Sequence, residues 1–323
     1  MTRQKTRKRL KIACIVAPIV AVLAVTAWYL HRTSIPVLQP AGEVAQKERN
    51  LIIIALLLSV IVVVPVFATT IMIAVKYREG NHEKRNLKYT PDWDHSRLLE
   101  SIWWGVPTII IIVLSVITWT SSHELDPYKA LASSRKPINV EVIGLNWKWL
   151  FIYPDQHIAS VNLVEFPKNT PVDFHITSDT IMNSFWIPQL GSQIYAMPGM
   201  STQLHLVADK TGSFYGTPAN IAGKGFARMT FTAKSVSQTD FDRWVASAQR
   251  DPKRLNTTAY NQLARPFMSN QVTYYSYVKD DLYNGLVMKY MAMPMSNGAS
   301  NMPKSGDSSQ SKGSSGVQGM YMQ

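Results

Sequence analysis

Two uncharged stretches, Leu51–Val75 and Ile102–Ser122, restrict what this 323-residue chain can fold into more than any other feature. A bilayer core of about 30 Å needs roughly 20 helical residues, and these stretches run 25 and 21 residues. Backbone polar groups in hydrocarbon must find partners inside the segment, so each stretch is expected to be a spanning helix. Pro65 interrupts the first, which lipid-embedded helices tolerate. Core helices of a soluble domain would carry shorter apolar runs.

The basic residues orient this pair. Between Lys76 and Arg97 lie six Lys/Arg, which places the loop between the spans in the cytoplasm. Everything after Ser122 is then exported. Six more Lys/Arg crowd the first 11 residues, whereas from residue 121 onward there are 18 Lys/Arg against 14 Asp/Glu. The formal charge of +12 therefore belongs to membrane flanks and forms no stripe for nucleic acid. Trp103, Trp104 and Trp119 lie near the ends of the second span, where indoles anchor at the interface. Ile12–Leu30 follows a basic n-region and reads either as a retained anchor or as a signal cleaved near Val25-Thr-Ala27. Cys14 is the one cysteine, so no internal disulfide and no cysteine cluster can form.

From Pro137 the pattern changes to short runs of period two, such as Ile138/Val140/Val142, Val172/Phe174/Ile176, Leu204/Leu206 and Met229/Phe231/Ala233. Short strands between turn residues predict an antiparallel sandwich or barrel. After Lys234 the period becomes helical. Phe241, Trp244, Val245 and Ala248 predict a helix capped by Thr239 and stopped at Pro252. Further helices are expected over Thr258–Arg265 and Asp281–Met291, and disorder beyond Ser296, where little can be buried.

The segments Ile181-Met-Asn-Ser-Phe-Trp-Ile-Pro188 and Phe214-Tyr-Gly-Thr-Pro-Ala-Asn-Ile-Ala-Gly-Lys-Gly-Phe-Ala-Arg-Met229 resemble subunit II of the haem-copper respiratory oxidases. Copper-bearing members hold a dinuclear centre in a cupredoxin-like sandwich. They use a histidine in H-S-x-x-V/I-P and then the run G-x-C-x-E-x-C-G-x-x-H-x-x-M. Laid on this chain from Gly216 without a gap, that run puts its cysteines on Pro218 and Ala222 and its glutamate on Asn220. Its histidine falls on Phe226 and its methionine on Met229, while the first histidine falls on Asn183. Copper in such a centre needs thiolate and imidazole donors; Met229 is the one family ligand left, and a lone thioether is more often core filler.

The pattern resembles the copper-less, quinol-oxidising branch of the cytochrome bo type. What that implies is a membrane-anchored all-β chain: a transmembrane helix hairpin, a periplasmic cupredoxin-like β-sandwich and a short helical C-terminal segment. The boundaries expected are 1–50 for the basic N-terminus, signal or anchor and linker, 51–122 for the hairpin, 123–234 for the sandwich, 235–291 for the aromatic-rich helical segment and 292–323 for a disordered tail. The chain itself would hold no cofactor. Haems and copper would sit in a partner, the haem-copper subunit I, with small membrane subunits alongside and ubiquinol as substrate of the complex in a bacterial inner membrane. The matching glutamate of the family motif E-x-x-x-W-T-x-P is Glu100, which the resemblance makes a proton entry; Gly105 replaces the threonine. Trp104, Trp147 and Trp149 are expected to pack against subunit I. His175 and His205 are expected on solvated strand faces. The methionines Met291, Met293, Met295, Met320 and Met322 read as incidental rather than as a site for cuprous copper. A stand-alone periplasmic copper-handling or sensor protein on the same scaffold is the rival reading, and neighbouring genes for a many-span subunit would separate the two.

The orientation is directly testable. Reporter fusions after residue 80 are expected to report cytoplasm and fusions after residue 130 periplasm; the reverse would remove the exported domain and the resemblance with it.

Overall fold

The computed structural model describes residues 35–77, 94–268 and 271–291, with Val25, Trp28 and Arg32. The expectations for Ile12–Leu30, for the loop between the spans and for the tail after residue 291 fall outside the described residues.

Two long helices come first, α1 (Glu43–Lys76) and α2 (Arg97–Glu124). Both are long and apolar enough to cross a membrane. Their large apolar side chains, among them Leu56, Phe67, Ile109 and Ile112, are exposed around the helix rather than turned to a core, as a lipid-facing helix requires. Several hydroxyls within them are satisfied internally. Ser59 donates to Ala55 O at 2.9 Å, Thr69 to Pro65 O at 2.8 Å, Thr108 to Trp104 O at 2.7 Å and Ser115 to Ile111 O at 2.8 Å. A side chain bonded to the preceding turn leaves no bare donor in hydrocarbon. The helix α1 starts eight residues before the uncharged run, and Lys47 there bridges Glu43 (2.7 Å) and Glu124 of α2 (2.9 Å).

The sandwich is built from eleven strands: β1 (Ile138–Leu145), β2 (Lys148–Tyr153), β3 (Ile158–Val161), β4 (Leu163–Pro167), β5 (Val172–Ser178), β6 (Asn183–Phe185), β7 (Ile194–Ala196), β8 (Thr202–Leu206), β9 (Gly212–Gly216), β10 (Phe231–Val236) and β11 (Thr273–Tyr275). One sheet has the order β11-β3-β2-β1-β5-β8, a second β4-β10-β9, and β6 pairs with β7. The sheets are mixed, not purely antiparallel: β1 runs parallel to β5 and β10 parallel to β4. Parallel neighbours need a long crossover, and the excursion through β2, β3 and β4 supplies it for β1 and β5.

The six-stranded sheet is covered on both faces, so β2 is buried at all six positions. Trp149, Phe151 and Tyr153 point into the core between the sheets. There Phe185 stacks on Phe231 at 5.0 Å, and Trp149 meets both rings edge-on at 5.4 and 5.8 Å. Leu150 and Ile152 point the other way, into a second core closed by Leu255, Tyr260, Tyr283, Leu286 and Val287.

Those residues come from the C-terminal helices α4 (Thr257–Leu263) and α5 (Leu282–Met291) and the turn before α4, whereas α3 (Gln238–Ala248) adds Phe241 and Ala248 to the first core. The cap of α3 is Ser237, not Thr239. Its hydroxyl accepts from Asp240 N at 3.2 Å and donates to the Asp240 carboxylate at 2.6 Å. That exchange satisfies an orphan donor of the first turn, which Thr239 would sit too late to reach. Asn256 caps α4 by accepting from Ala259 N at 2.8 Å.

If the aromatic core carries the sandwich, Phe231→Ala should cost about 3–5 kcal/mol, while Phe267→Ala, at an exposed ring, should cost less than about 0.5 kcal/mol. Denaturant midpoints of the full chain in detergent would check this; equal midpoints would contradict the packing.

Candidate functional site

Three places in the fold concern the expected chemistry: the loop between β9 and β10, the start of α2, and the join between sandwich and C-terminal helices.

The β9–β10 loop carries five of the six positions matched to copper ligands, and β6 carries the sixth. Hydrogen bonds gather them. The Ser184 hydroxyl donates to Asn220 Oδ1 at 2.6 Å and accepts from Ala219 N at 3.0 Å, while Asn220 Nδ2 donates to Met182 O at 2.9 Å. Asn183 is buried, its amide nitrogen donating to Ile181 O at 2.9 Å and its oxygen lacking a donor. Pro218, Ala222 and Met229 are buried and Phe226 half-buried at the start of a short 3-10 turn, Phe226–Arg228.

Two indoles fasten this loop from β2 and the turn before it. Trp147 Nε1 donates to Ala222 O at 2.9 Å, and Trp149 Nε1 to Met229 O at 3.3 Å. The Trp147 ring lies against Gly225, where an added Cβ would come within 2.2 Å of it. A tryptophan at φ 60 is an uncommon conformation, and the two-residue turn Asn146-Trp147 between paired Leu145 and Lys148 imposes it.

Chemically the six positions offer two amides, one thioether and three side chains without a soft donor. Among the described residues no group of three or more His, Cys, Asp or Glu is placed to hold a metal. Nothing in this donor set suits a dinuclear copper centre, which needs bridging thiolates and imidazoles.

The interface expectations divide. Trp104 is 73% exposed on α2 and free to meet a partner or lipid. Trp147 is half-buried and spends its donor on its own domain. Trp149 is fully buried between Phe185 and Phe231, so the expectation that it packs on a second subunit is corrected. Its place in the sequence resembles the aromatic stretch of the copper-bearing branch, but the strand is covered on both faces.

Glu100 lies in the first turn of α2. Its carboxylate is 2.6 Å from His95 Nδ1 and accepts weakly from the cap residue Ser96 N at 3.4 Å. Both side chains are about half exposed. A first-turn acid also suits the helix N-terminus. His95 is the neighbour that residue spacing alone did not point to.

His205 is not on a solvated face. Its ring is 2.6 Å from the Asp173 carboxylate, and the side chain is 10% exposed. Beside it, burial pushes the His175 imidazole below its usual pKa.

The third place was missed from sequence altogether. The Asp179 carboxylate, 6% exposed, accepts from Tyr260 Oη at 2.7 Å, Lys289 Nζ at 2.8 Å and Tyr290 Oη at 2.8 Å. Burial, with Asp179 beside it, pushes the Tyr260 phenol well above its ordinary range. Asn146 and Lys148 complete the join by donating to the carbonyls of Ala264 (3.2 Å) and Arg265 (3.0 Å) at the end of α4. Charge-assisted bonds of this kind are the strong ones. Only a turn between β5 and β6 brings Asp179 to residues more than eighty positions away, so no local signal could reveal it.

If the β9–β10 loop keeps the geometry of a copper-binding loop, Asn183→His, Pro218→Cys, Asn220→Glu, Ala222→Cys and Phe226→His together should bind copper as a purple centre, with Met229 already present. Visible absorbance after copper loading reads this out; a folded variant that stays colourless would show that the loop or the alignment is wrong.

Comparison with known proteins follows the same lines. Residues 157–236 match the family described as the periplasmic domain of cytochrome c oxidase subunit II, and residues 249–293 match the COX aromatic rich motif. The cytochrome bo(3) ubiquinol oxidase subunit 2 of Pseudomonas putida is 49% identical over 256 residues, covering 79% of this chain and 81% of its own. The ubiquinol oxidase subunit 2 of Acetobacter aceti is 44% identical over 278 residues, covering 84% and 89%. With identity at that level across most of both chains, and the aromatic-rich motif matched besides, this chain belongs to the family of cytochrome bo-type ubiquinol oxidase subunits 2.

Proposed function

We propose that the chain serves as the non-haem subunit II of a proton-translocating ubiquinol oxidase, an oxidoreductase that passes electrons from ubiquinol to oxygen. The donor set at the six former ligand positions carries this reading. Pro218, Ala222 and Phe226 cannot ligate copper and Met229 alone is a weak donor, so electrons from a soluble cytochrome have no entry through this domain. Quinol delivers electrons within the membrane, where such an entry is not needed. The relatives named as ubiquinol oxidase subunits support the same assignment.

The haems and copper of the complex belong on this view to a haem-copper subunit I, with small membrane subunits completing it. This chain contributes the helix hairpin and an exported face. The location that fits is a bacterial inner membrane, with the sandwich in the periplasm. Co-purification from solubilised membranes tests the partnership: a many-span haem-bearing subunit should accompany the chain, and its absence would favour the stand-alone copper-handling reading.

Glu100 is the residue to which we assign proton entry. It sits at the start of α2, at the end of the hairpin that the charge pattern places in the cytoplasm, half exposed and beside His95. A carboxylate there can take a proton from water and release it to a path in a neighbouring subunit. An exposed pair of this kind adds little stability, so the charge can be removed without loss of assembly.

Glu100→Ala should therefore slow quinol oxidation by about tenfold, equivalent to about 1.4 kcal/mol on the limiting barrier, with the amount of haem-loaded complex unchanged. Glu100→Asp should lose less. Parallel loss of complex and activity would indicate a packing role, and full activity at saturating quinol from neutral to alkaline pH would mean that protons enter elsewhere.

A further inference from the structure

The methionines of α5 are placed oddly. The buried stripe of this helix is Tyr283, Leu286, Val287 and half-buried Tyr290, spaced as one helical face. Met288 and Met291 lie off that stripe, three residues apart and each 60% exposed. Residues at i and i+3 are neighbours on a helix surface, with Cβ atoms about 5–6 Å apart. An amphipathic helix gains nothing by putting two large apolar side chains in water.

A third exposed methionine is brought alongside by the fold. The turn Met197-Pro-Gly-Met200 is closed by Met200 N donating to Met197 O at 3.3 Å. Its Gly199 has φ +74, and an added Cβ would stand 3.2 Å from Tyr290 Cβ and 3.5 Å from Met291 N. Glycine thus lets the turn's backbone rest on the last turn of α5. One residue on, Ser201 is hydrogen-bonded to the Tyr283 hydroxyl at 2.7 Å. Met200, 48% exposed, is therefore held between two contacts to α5. Chain geometry keeps its Cα within about 10 Å of that of Met291. Unbranched side chains with three rotatable bonds each can close that gap.

We propose that Met200, Met288 and Met291 form a surface site for a cuprous ion. Thioethers are soft donors that select Cu(I) over harder cations. The one cation within the cluster, Lys289, is drawn away onto Asp179 at 2.8 Å and does not repel an incoming metal. The site is separate from the β9–β10 loop and shares no residue with it. Binding involves no electron transfer, so the ion enters and leaves as Cu(I).

The test uses the full chain in detergent with Met293, Met295, Met302, Met320 and Met322 replaced by leucine, so that tail thioethers cannot contribute. Under anaerobic conditions, Cu(I) is titrated against the chelator bicinchoninate. One Cu(I) per chain should be withheld from the chelator. Met200→Leu should weaken retention about tenfold or more, since even an outer-shell partner of a metal is commonly worth that much. Met288→Leu with Met291→Leu should abolish it, and Met182→Leu, at an exposed methionine outside the cluster, should leave it unchanged. No retained Cu(I), equal retention in Met200→Leu, or equal loss in Met182→Leu would each overturn the proposal. All four positions are exposed and the replacement is apolar and similar in size, so the fold survives; an unchanged far-ultraviolet spectrum verifies it.

Discussion

Everything from Ile138 to Met291 depends on the six-stranded sheet being covered on both faces. The side chains of β2 alternate between a core shared with the second sheet and α3 and a core shared with α4 and α5. Stripping either cover would expose a row of large apolar groups, at roughly 1.5–3 kcal/mol each. The helices after residue 237 are thus part of the sandwich, and β11 pairs with β3 to form one edge of its larger sheet. Asp179, Asn146 and Lys148 fasten the second cover at its polar rim. Burial pulls the Lys148 amine below its usual pKa, which is tolerated because the amine donates to a helix-terminal carbonyl.

A loop that a metal organises in copper-bearing proteins must be organised by something else in a chain without the ligands. Here Trp147, Trp149 and Ser184 hold it through hydrogen bonds to Ala222 O, Met229 O and Asn220. A typical hydrogen bond contributes about 0.5–1.5 kcal/mol net. Against this stands the left-handed backbone of Trp147, a cost of order 1–3 kcal/mol. The several contacts of one indole offset that cost: its N–H bond to Ala222 and its face on Gly225 and Gly223. The same ring that packs this loop is consequently less available to a partner subunit.

Helices α1 and α2 were legible because hydrophobic length is a one-dimensional property. Strands β1, β5, β8 and β10 were legible because one face of each carries the polar positions that make a period of two. The strand β2, Lys148-Trp-Leu-Phe-Ile-Tyr153, shows no alternation, since both its faces are buried, and a continuous apolar run does not declare its partner. The parallel pairing of β1 with β5 is likewise a property of chain path rather than of either strand. The six positions matched to copper ligands form a spaced motif in the sequence, whereas their hydrogen bonds to β6 and to the indoles depend on segments up to eighty residues apart. Trp149 is expected outward only because its stretch resembles the family's aromatic stretch, and the second sheet that buries its ring through Phe231 lies about eighty residues on.

The sandwich is tied to the membrane chiefly through α1. Ala41 N donates to Gln189 O at 2.8 Å, Ala45 N to Leu190 O at 3.2 Å, and Asp209 N to Ala41 O at 2.8 Å. Glu48 adds a hydrogen bond from Ser192. These are mostly backbone bonds and do not depend on which side chains are present. By contrast α2 meets α1 through the exposed Lys47–Glu124 pair, which contributes little. Glu100 lies at the far end of α2, about 36 Å from Glu124 at 1.5 Å per residue, close to a full bilayer thickness. The β9–β10 loop and Glu100 thus belong to opposite ends of the hairpin. Loss of the copper ligands at one end would leave the carboxylate at the other in an unaltered setting. Proton entry as proposed for Glu100 is therefore compatible with a sandwich whose loop offers no thiolate or imidazole donors.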